Sequence, residues 1–166
     1  MANKKITDLT ELTKAASNDY LEIVDTSANA SKKITRDNLS GWHFLTTPLT
    51  STSWDGDSYS TTAKTLIDLS EVFGVPARIK AVLLECAIND SGSLTYSTYG
   101  GAWIVFSGQN DESLGPGINL EKEPNDAHRN AHMIVACNPD GDIYYRINAS
   151  GTGTMDVVLK VWGYWL

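Results

Sequence analysis

The stretch Ala77-Arg78-Ile79-Lys80-Ala81-Val82-Leu83-Leu84-Glu85-Cys86-Ala87-Ile88-Asn89 decides how this chain folds. Side chains on a strand alternate with a period of two, so Val82, Leu84, Cys86 and Ile88 share one face. Ile79, Ala81, Leu83, Glu85 and Ala87 share the other. Both faces are largely apolar. A strand with one wet face alternates apolar with polar residues, so this one is expected to be covered on both sides. The cover is a second sheet, a long loop or another copy of the chain.

Toward the C-terminus, Asp90-Ser91-Gly92-Ser93 is a turn. Leu94 to Phe106 reads as a strand region interrupted at Gly100-Gly101, which marks a bulge, bend or turn. Ser107 to Arg129 is the longest stretch of low order, and such loops either serve a function or pack on a neighbour. Ala131 to Cys137 is a further strand, closed by the strong turn Asn138-Pro139-Asp140-Gly141. Asp142 to Ala149 and Thr154 to Leu166, joined by Ser150-Gly151-Thr152-Gly153, are expected to form a hairpin. Its last strand stays apolar and aromatic to Leu166. Chain ends fray unless they are tied down, so this strand is expected to be central or at an interface.

Toward the N-terminus, Ser70-Glu71-Val72-Phe73-Gly74 predicts one helical turn before Val75-Pro76. Lys64 to Leu69 predicts a short strand with Leu66 and Leu69 turned inward. Trp42 to Ser60 is rich in Thr and Ser and contains Pro48 and Gly56, a composition for edge strands and loops. Roughly seven or eight strands follow Gly41, which predicts an all-β fold: an antiparallel, jelly-roll-like β-sandwich.

The chain has 166 residues, 42% of them hydrophobic, and a formal charge of −7. That length suits one domain, or a small domain with an arm, and the apolar content permits a core. The acidic balance and scattered Lys and Arg argue against nucleic acid or an anionic membrane as partner. Lys4-Lys5 is followed by no apolar h-region, and no apolar run approaches the ~20 residues of a membrane span. A soluble product made in a cytosol is expected.

The first residues are organised around Asp19-Tyr20-Leu21-Glu22-Ile23-Val24-Asp25. A polar turn and Lys32-Lys33-Ile34-Thr35-Arg36-Asp37-Asn38-Leu39-Ser40 follow. Imperfect alternation predicts a strand over Leu21 to Val24, a loop longer than a tight turn, and a return strand from Lys32 to Thr35. Thr35 then suits an N-cap for a helical turn over Arg36 to Leu39, stopped at Gly41. Residues 1–18 lack a core of their own. The expected division is an arm over 1–41 and a β-sandwich body over 42–166.

This N-terminal pattern resembles the attachment segment of bacteriophage fibre proteins, found in short tail fibres, head fibres and related virion appendages. The resemblance is carried by Ile6, Asp8, Leu9, Asp19, Leu21, Val24, Asp25, Lys33, Ile34, Thr35 and Leu39. It implies virion attachment through Ile6, Leu9, Leu21, Ile23, Val24, Lys33, Ile34 and Leu39. The body is loosely similar to β-sandwich modules of phage fibres and capsid appendages. There the matching stretches are Gly74 to Val82 and Asn148 to Val157, with Trp162-Gly163-Tyr164. The resemblance further implies a homotrimer, with Leu83, Trp162 and Trp165 as interface candidates.

The chemistry-bearing residues admit blander readings. His128 and His132 stand four apart, but His132 enters a strand and the Glu of a His-Glu-x-x-His motif is absent. Asp55-Gly56-Asp57 and Asp140-Gly141-Asp142 lack the further ligands of a calcium loop and read as turns. Cys86 and Cys137 fit no zinc spacing and read as small hydrophobes. Glu85, a carboxylate within an apolar strand, is expected to titrate high if isolated or to pair with Arg78 or Arg146. No nucleophile elbow, P-loop or dinucleotide fingerprint occurs. No metal and no cofactor is expected. Trp54, Tyr59, Tyr96 and Tyr99 lie in loop-like settings where aromatic rings stack on sugars, and are the candidates for binding a glycan.

Together these readings predict a non-enzymatic structural protein of a tailed-phage virion, assembled in the cytoplasm of a bacterial host. It would contact other virion proteins through residues 1–41 and serve host-surface attachment or capsid stabilisation. Bacterial surface glycan is its candidate external partner. The alternative is a carbohydrate-binding module that uses the loop aromatics.

Overall fold

The computed structural model describes residues 20–25, 30–35, 41–51, 54, 64–92, 101–110, 115–121 and 123–166. The chain divides into two compact units, Met1–Ser40 and Gly41–Leu166. In the first, strands β1 (Tyr20–Asp25) and β2 (Ala30–Thr35) pair antiparallel, with Leu21 opposite Ile34 and Ile23 opposite Lys32. The return strand thus begins at Ala30, earlier than Lys32. The helical turn expected over Arg36 to Leu39 lies outside the described residues.

The second unit contains β3 (Trp42–Thr50), β4 (Thr65–Ile67), helix α1 (Leu69–Phe73), β5 (Ala81–Asp90), β6 (Trp103–Ser107), β7 (Gly117–Asn119), β8 (Ala127–Ala136), β9 (Ile143–Asn148) and β10 (Met155–Trp165). One sheet has the order β3-β10-β5-β8 and the other β4-β9-β6-β7, with every pairing antiparallel. The chain changes sheet at each connection except β6 to β7. This is the strand order of a jelly roll.

Alternation places the core between the sheets. Val82, Leu84, Cys86 and Ile88 of β5 are fully buried, and they pack with Ile104 and Phe106 of β6, Ile143 and Ile147 of β9, and Leu159 and Val161 of β10. A buried side chain of this kind stabilises the fold by about 1.5–3 kcal/mol relative to exposure. The opposite face of β5, including Ala81, Leu83, Glu85 and Ala87, is only half-buried. Within one chain, therefore, the second face is flanked by neighbouring side chains rather than covered.

Four local expectations change. Residues 142–166 do not form a hairpin, because β9 and β10 belong to different sheets and face each other across the core. The Ser107 to Arg129 stretch holds strand β7, which pairs with β6, and the start of β8. In β4 the phase is shifted by one residue: Leu66 is exposed and Ile67 is buried. Leu69 is buried as expected, but as the first residue of α1. The C-terminal strand β10 is central, lying between β3 and β5.

Local polar groups set these elements. Asp68 caps α1, accepting from the Glu71 amide at 2.9 Å and the Ser70 hydroxyl at 2.7 Å. Gly74, at φ 73°, ends it in the left-handed region that glycine enters without penalty. In the turn after β8, Asn138 Oδ1 accepts from the Asp140 and Asp142 amides at 3.0 and 2.8 Å. Asp142 in turn accepts from the Leu69 amide at 3.1 Å, and its burial raises its pKa.

The buried Asp90 closes the far end of β5. Its carboxylate accepts from the Gly92 amide at 2.8 Å, the Ser150 amide at 2.9 Å and the Ser150 hydroxyl. This draws the β9–β10 connection onto the end of β5, where β10 starts its ladder with Met155 opposite Asp90. Among the described residues, no helix is long and apolar enough to cross a membrane.

Candidate functional site

The outer face of the β3-β10-β5-β8 sheet gathers the most unusual surface of the body. Cross-strand register arranges it in rows. Trp42, Trp165, Ala81 and Ala136 form one row; Phe44, Gly163, Leu83 and Ile134 form the next. Lys160, Glu85 and His132 form another, further along the strands.

A β-bulge makes the aromatic part of this face. The register of β10 shifts between Val161 and Gly163, so Trp162 is an extra residue on the bulged strand. Strict alternation would put Trp162 and Trp165 on opposite faces of the sheet. With the bulge, Trp162 reaches Glu85 on the outer face, and Trp165 stands opposite Ala81 on that same face. Gly163 lets the edge strand approach: a Cβ there would lie 2.8 Å from the His43 carbonyl oxygen. In β3 the residues 45–48, including Pro48, fall between the paired positions Phe44 and Leu49. Proline removes a ladder donor and is accommodated at such an edge.

The rings contact one another. Trp42 stacks on Phe44 with centroids 5.9 Å apart and meets Trp165 edge-on at 5.6 Å. Beside them lies a hollow of about 280 Å³ bounded by Phe44, Leu45, Leu83, His132 and Trp162.

Glu85 sits at the border of this apolar region with a side chain 15% exposed. Trp162 Nε1 donates to its Oε2 at 2.6 Å, and Lys160 Nζ donates to its Oε1 at 3.2 Å. His132 Nε2 lies 3.8 Å from Oε2. The Trp162 hydrogen bond, aided by Lys160 and His132, outweighs desolvation and holds the carboxyl below its ordinary pKa. Glu85 therefore does not titrate high, and its partners are not the arginines expected for it. Arg146 lies over the Trp103 ring on the other sheet, 5.7 Å from its centroid. Arg78 joins the turn at Asp140 through its backbone amide. A partner one strand away in register is nearer than any a local reading can supply.

Compared with known proteins, the sequence matches no family model and no curated protein. The face is aromatic and apolar, and a formed ion pair borders it.

The structure brings Leu83, Trp162 and Trp165 together on this face. Sequence reasoning missed Trp42, Phe44 and Ile134; the signal for the first two was the i, i+2 spacing of aromatics within a segment read as edge strands and loops. Trp54 is half-buried, packed against the core and edge-on to Tyr145 at 5.6 Å, so it is not an open stacking platform. Tyr59, Tyr96 and Tyr99 lie outside the described residues, as do Ile6, Leu9 and Leu39. Leu21, Ile23, Val24, Lys33 and Ile34 fall on the β1–β2 hairpin.

His128 and His132 both lie in β8, opposite Asn89 and Glu85. Among the described residues, no group of three or more His, Cys, Asp or Glu could hold a metal ion. Cys86 and Cys137 are free thiols, each pushed up to about 12 chiefly by burial. Such thiols remain protonated near neutral pH and are poor nucleophiles.

Proposed function

We propose that this protein is a non-enzymatic structural component of a tailed-bacteriophage virion: a head fibre, decoration protein or short tail fibre. Residues 1–41 attach it to other virion proteins, and the β-sandwich projects as a homotrimer that serves host-surface attachment or capsid stabilisation. The observation that carries this reading is the aromatic outer face of the β3-β10-β5-β8 sheet, joined in one chain to a separate N-terminal hairpin unit. A large apolar and aromatic surface is characteristic of protein assembly. Jelly rolls recur in capsid and lectin domains, which supports the reading by analogy of fold alone. The inert thiols and the satisfied Glu85 carboxylate also favour a structural role. The half-burial of Trp54 weakens the carbohydrate-binding alternative.

The test is mass spectrometry of density-purified particles from the strain that carries this gene, with antibody labelling of intact particles. The full chain is expected in the particles. A version lacking residues 1–41 is expected to stay in the unassembled fraction. Particles that carry no peptide of this chain would overturn the proposal.

A further inference from the structure

We infer that the outer face of the β3-β10-β5-β8 sheet is where one copy of this chain binds a second copy, with Phe44, Leu83 and Ile134 at the centre of the contact. This rests on the assembly reading above and adds the surface and the residues that make it.

The first argument is the distribution of exposed apolar side chains. Among the described residues, the large exposed hydrophobics are Phe44 at 71%, Ile134 at 59%, Val158 at 53%, Leu66 at 47% and Trp165 at 36%. All but Leu66 lie on this one face by register. Phe44 is a projecting ring beside a hollow of about 280 Å³. With a knob next to a hollow on one surface, each copy can place its ring in its neighbour's hollow, a heterologous contact that can close a ring of three.

Size agrees. Four strands about 4.8 Å apart and about 33 Å long present roughly 600 Å² in projection. Buried on both copies, this is about 1,200 Å² in total, the lower end of specific interfaces.

Charge selects the partner. The chain carries −7 overall, so two copies repel through most of their surface. The outward rows of this face hold two carboxylates, Glu85 and Asp156, and one ammonium, Lys160. Glu85 already has its charge met by Lys160 and Trp162, so its burial leaves no unpaired carboxylate. A strongly basic or acidic partner finds no complement here. A sugar needs hydrogen-bonding groups beside the ring, and the rows next to Trp42 and Trp165 offer Ala81, Ala136, Leu83 and Ile134. Proline at position 48 disfavours pairing through the β3 edge.

The test is the mass of the full chain by light scattering across a dilution series, for the wild type and for Phe44→Glu, Ile134→Glu and Leu66→Glu. Far-UV circular dichroism confirms the fold of each. The wild type is expected at a multiple of 18.1 kDa. Phe44→Glu and Ile134→Glu are each expected to weaken association by about thirtyfold, as loss of a central contact does. Leu66→Glu, on the other sheet, is expected to leave it unchanged. Dilution of the wild type should also red-shift tryptophan emission as Trp42 and Trp165 become wet, a readout that needs no variant. An oligomer that survives the Phe44→Glu/Ile134→Glu double substitution overturns this inference and leaves the trimeric reading standing. Dissociation by Leu66→Glu alone places the interface on the other sheet and overturns it too. A wild type that remains at 18.1 kDa throughout overturns both.

Discussion

Trp162 Nε1 donates to Glu85 Oε2 at 2.6 Å, across the β10–β5 pair and at the site of the bulge. The bond ties an irregular strand to a regular one and keeps a carboxylate ionised at the edge of an apolar face. Hydrogen bonds to charged groups contribute about 1.5–3 kcal/mol. Trp162→Phe keeps an aromatic ring and removes the donor. Urea unfolding should show a loss of about 2 kcal/mol at neutral pH. The pH dependence has a definite sign. Because the folded pKa is depressed, the stabilisation is present above the ordinary glutamate value of about 4.3 and is lost as pH falls through the folded value. The substitution should flatten that acid limb and move the Glu85 carboxyl resonance, followed by NMR titration, toward the ordinary range. An unchanged Glu85 titration would count against the assigned bond.

Asp90 is the clamp between β5 and the β9–β10 connection. Removing its carboxylate in Asp90→Ala leaves the Gly92 and Ser150 amides without their acceptor. At about 1–3 kcal/mol for each unsatisfied buried group, a loss of roughly 3 kcal/mol is expected in denaturant melts. Asp90→Asn retains one acceptor oxygen and should lose less. Equal losses for the two would mean that the hydrogen bonds are not what holds the loop.

The one-residue phase of β4 is tested by a pair of truncations. Ile67 is buried at 1% exposure and Leu66 is exposed at 47%. Ile67→Ala should lower stability by about 2–5 kcal/mol, and Leu66→Ala by no more than about 0.5 kcal/mol. A reversed order in thermal or urea unfolding would place Leu66 in the core.

The two thiols should be silent in the native protein. Burial pushes both up to about 12, so little thiolate is present at pH 8. A thiol reagent such as Ellman's should label Cys86 only at the rate at which the fold opens. Half-buried Cys137 should react slowly, and both should react at once in strong denaturant. Rapid labelling of Cys86 without denaturant would contradict its place between the sheets.

Some elements were legible because their signals are local. The alternation of β5, the Asn138-Pro139-Asp140-Gly141 turn and the helical turn closing at Gly74 depend on neighbours only a few residues apart. The final strand was expected to be central or at an interface, and it lies between β3 and β5. Other features depended on distant residues. Residues 142–166 look like a hairpin because two strands flank a glycine-rich loop. The Asp90 clamp on Ser150, reaching across 60 positions, directs β10 onto β5 instead. The role of Trp42 and Phe44 was hidden for the same reason: they acquire meaning only where β3 pairs with the bulged end of β10.

The sequence by itself determined that the body is all-β, which residues of β5 share a face, and where the chain turns. Each of these follows from a period of two or from the backbone preferences of single residues. Only the tertiary structure decided the jelly-roll pairing, the partner of Glu85 and the aromatic outer face. Those depend on register between strands far apart in the chain, and a shift of one residue, as at Trp162, changes which face of the sheet a side chain occupies.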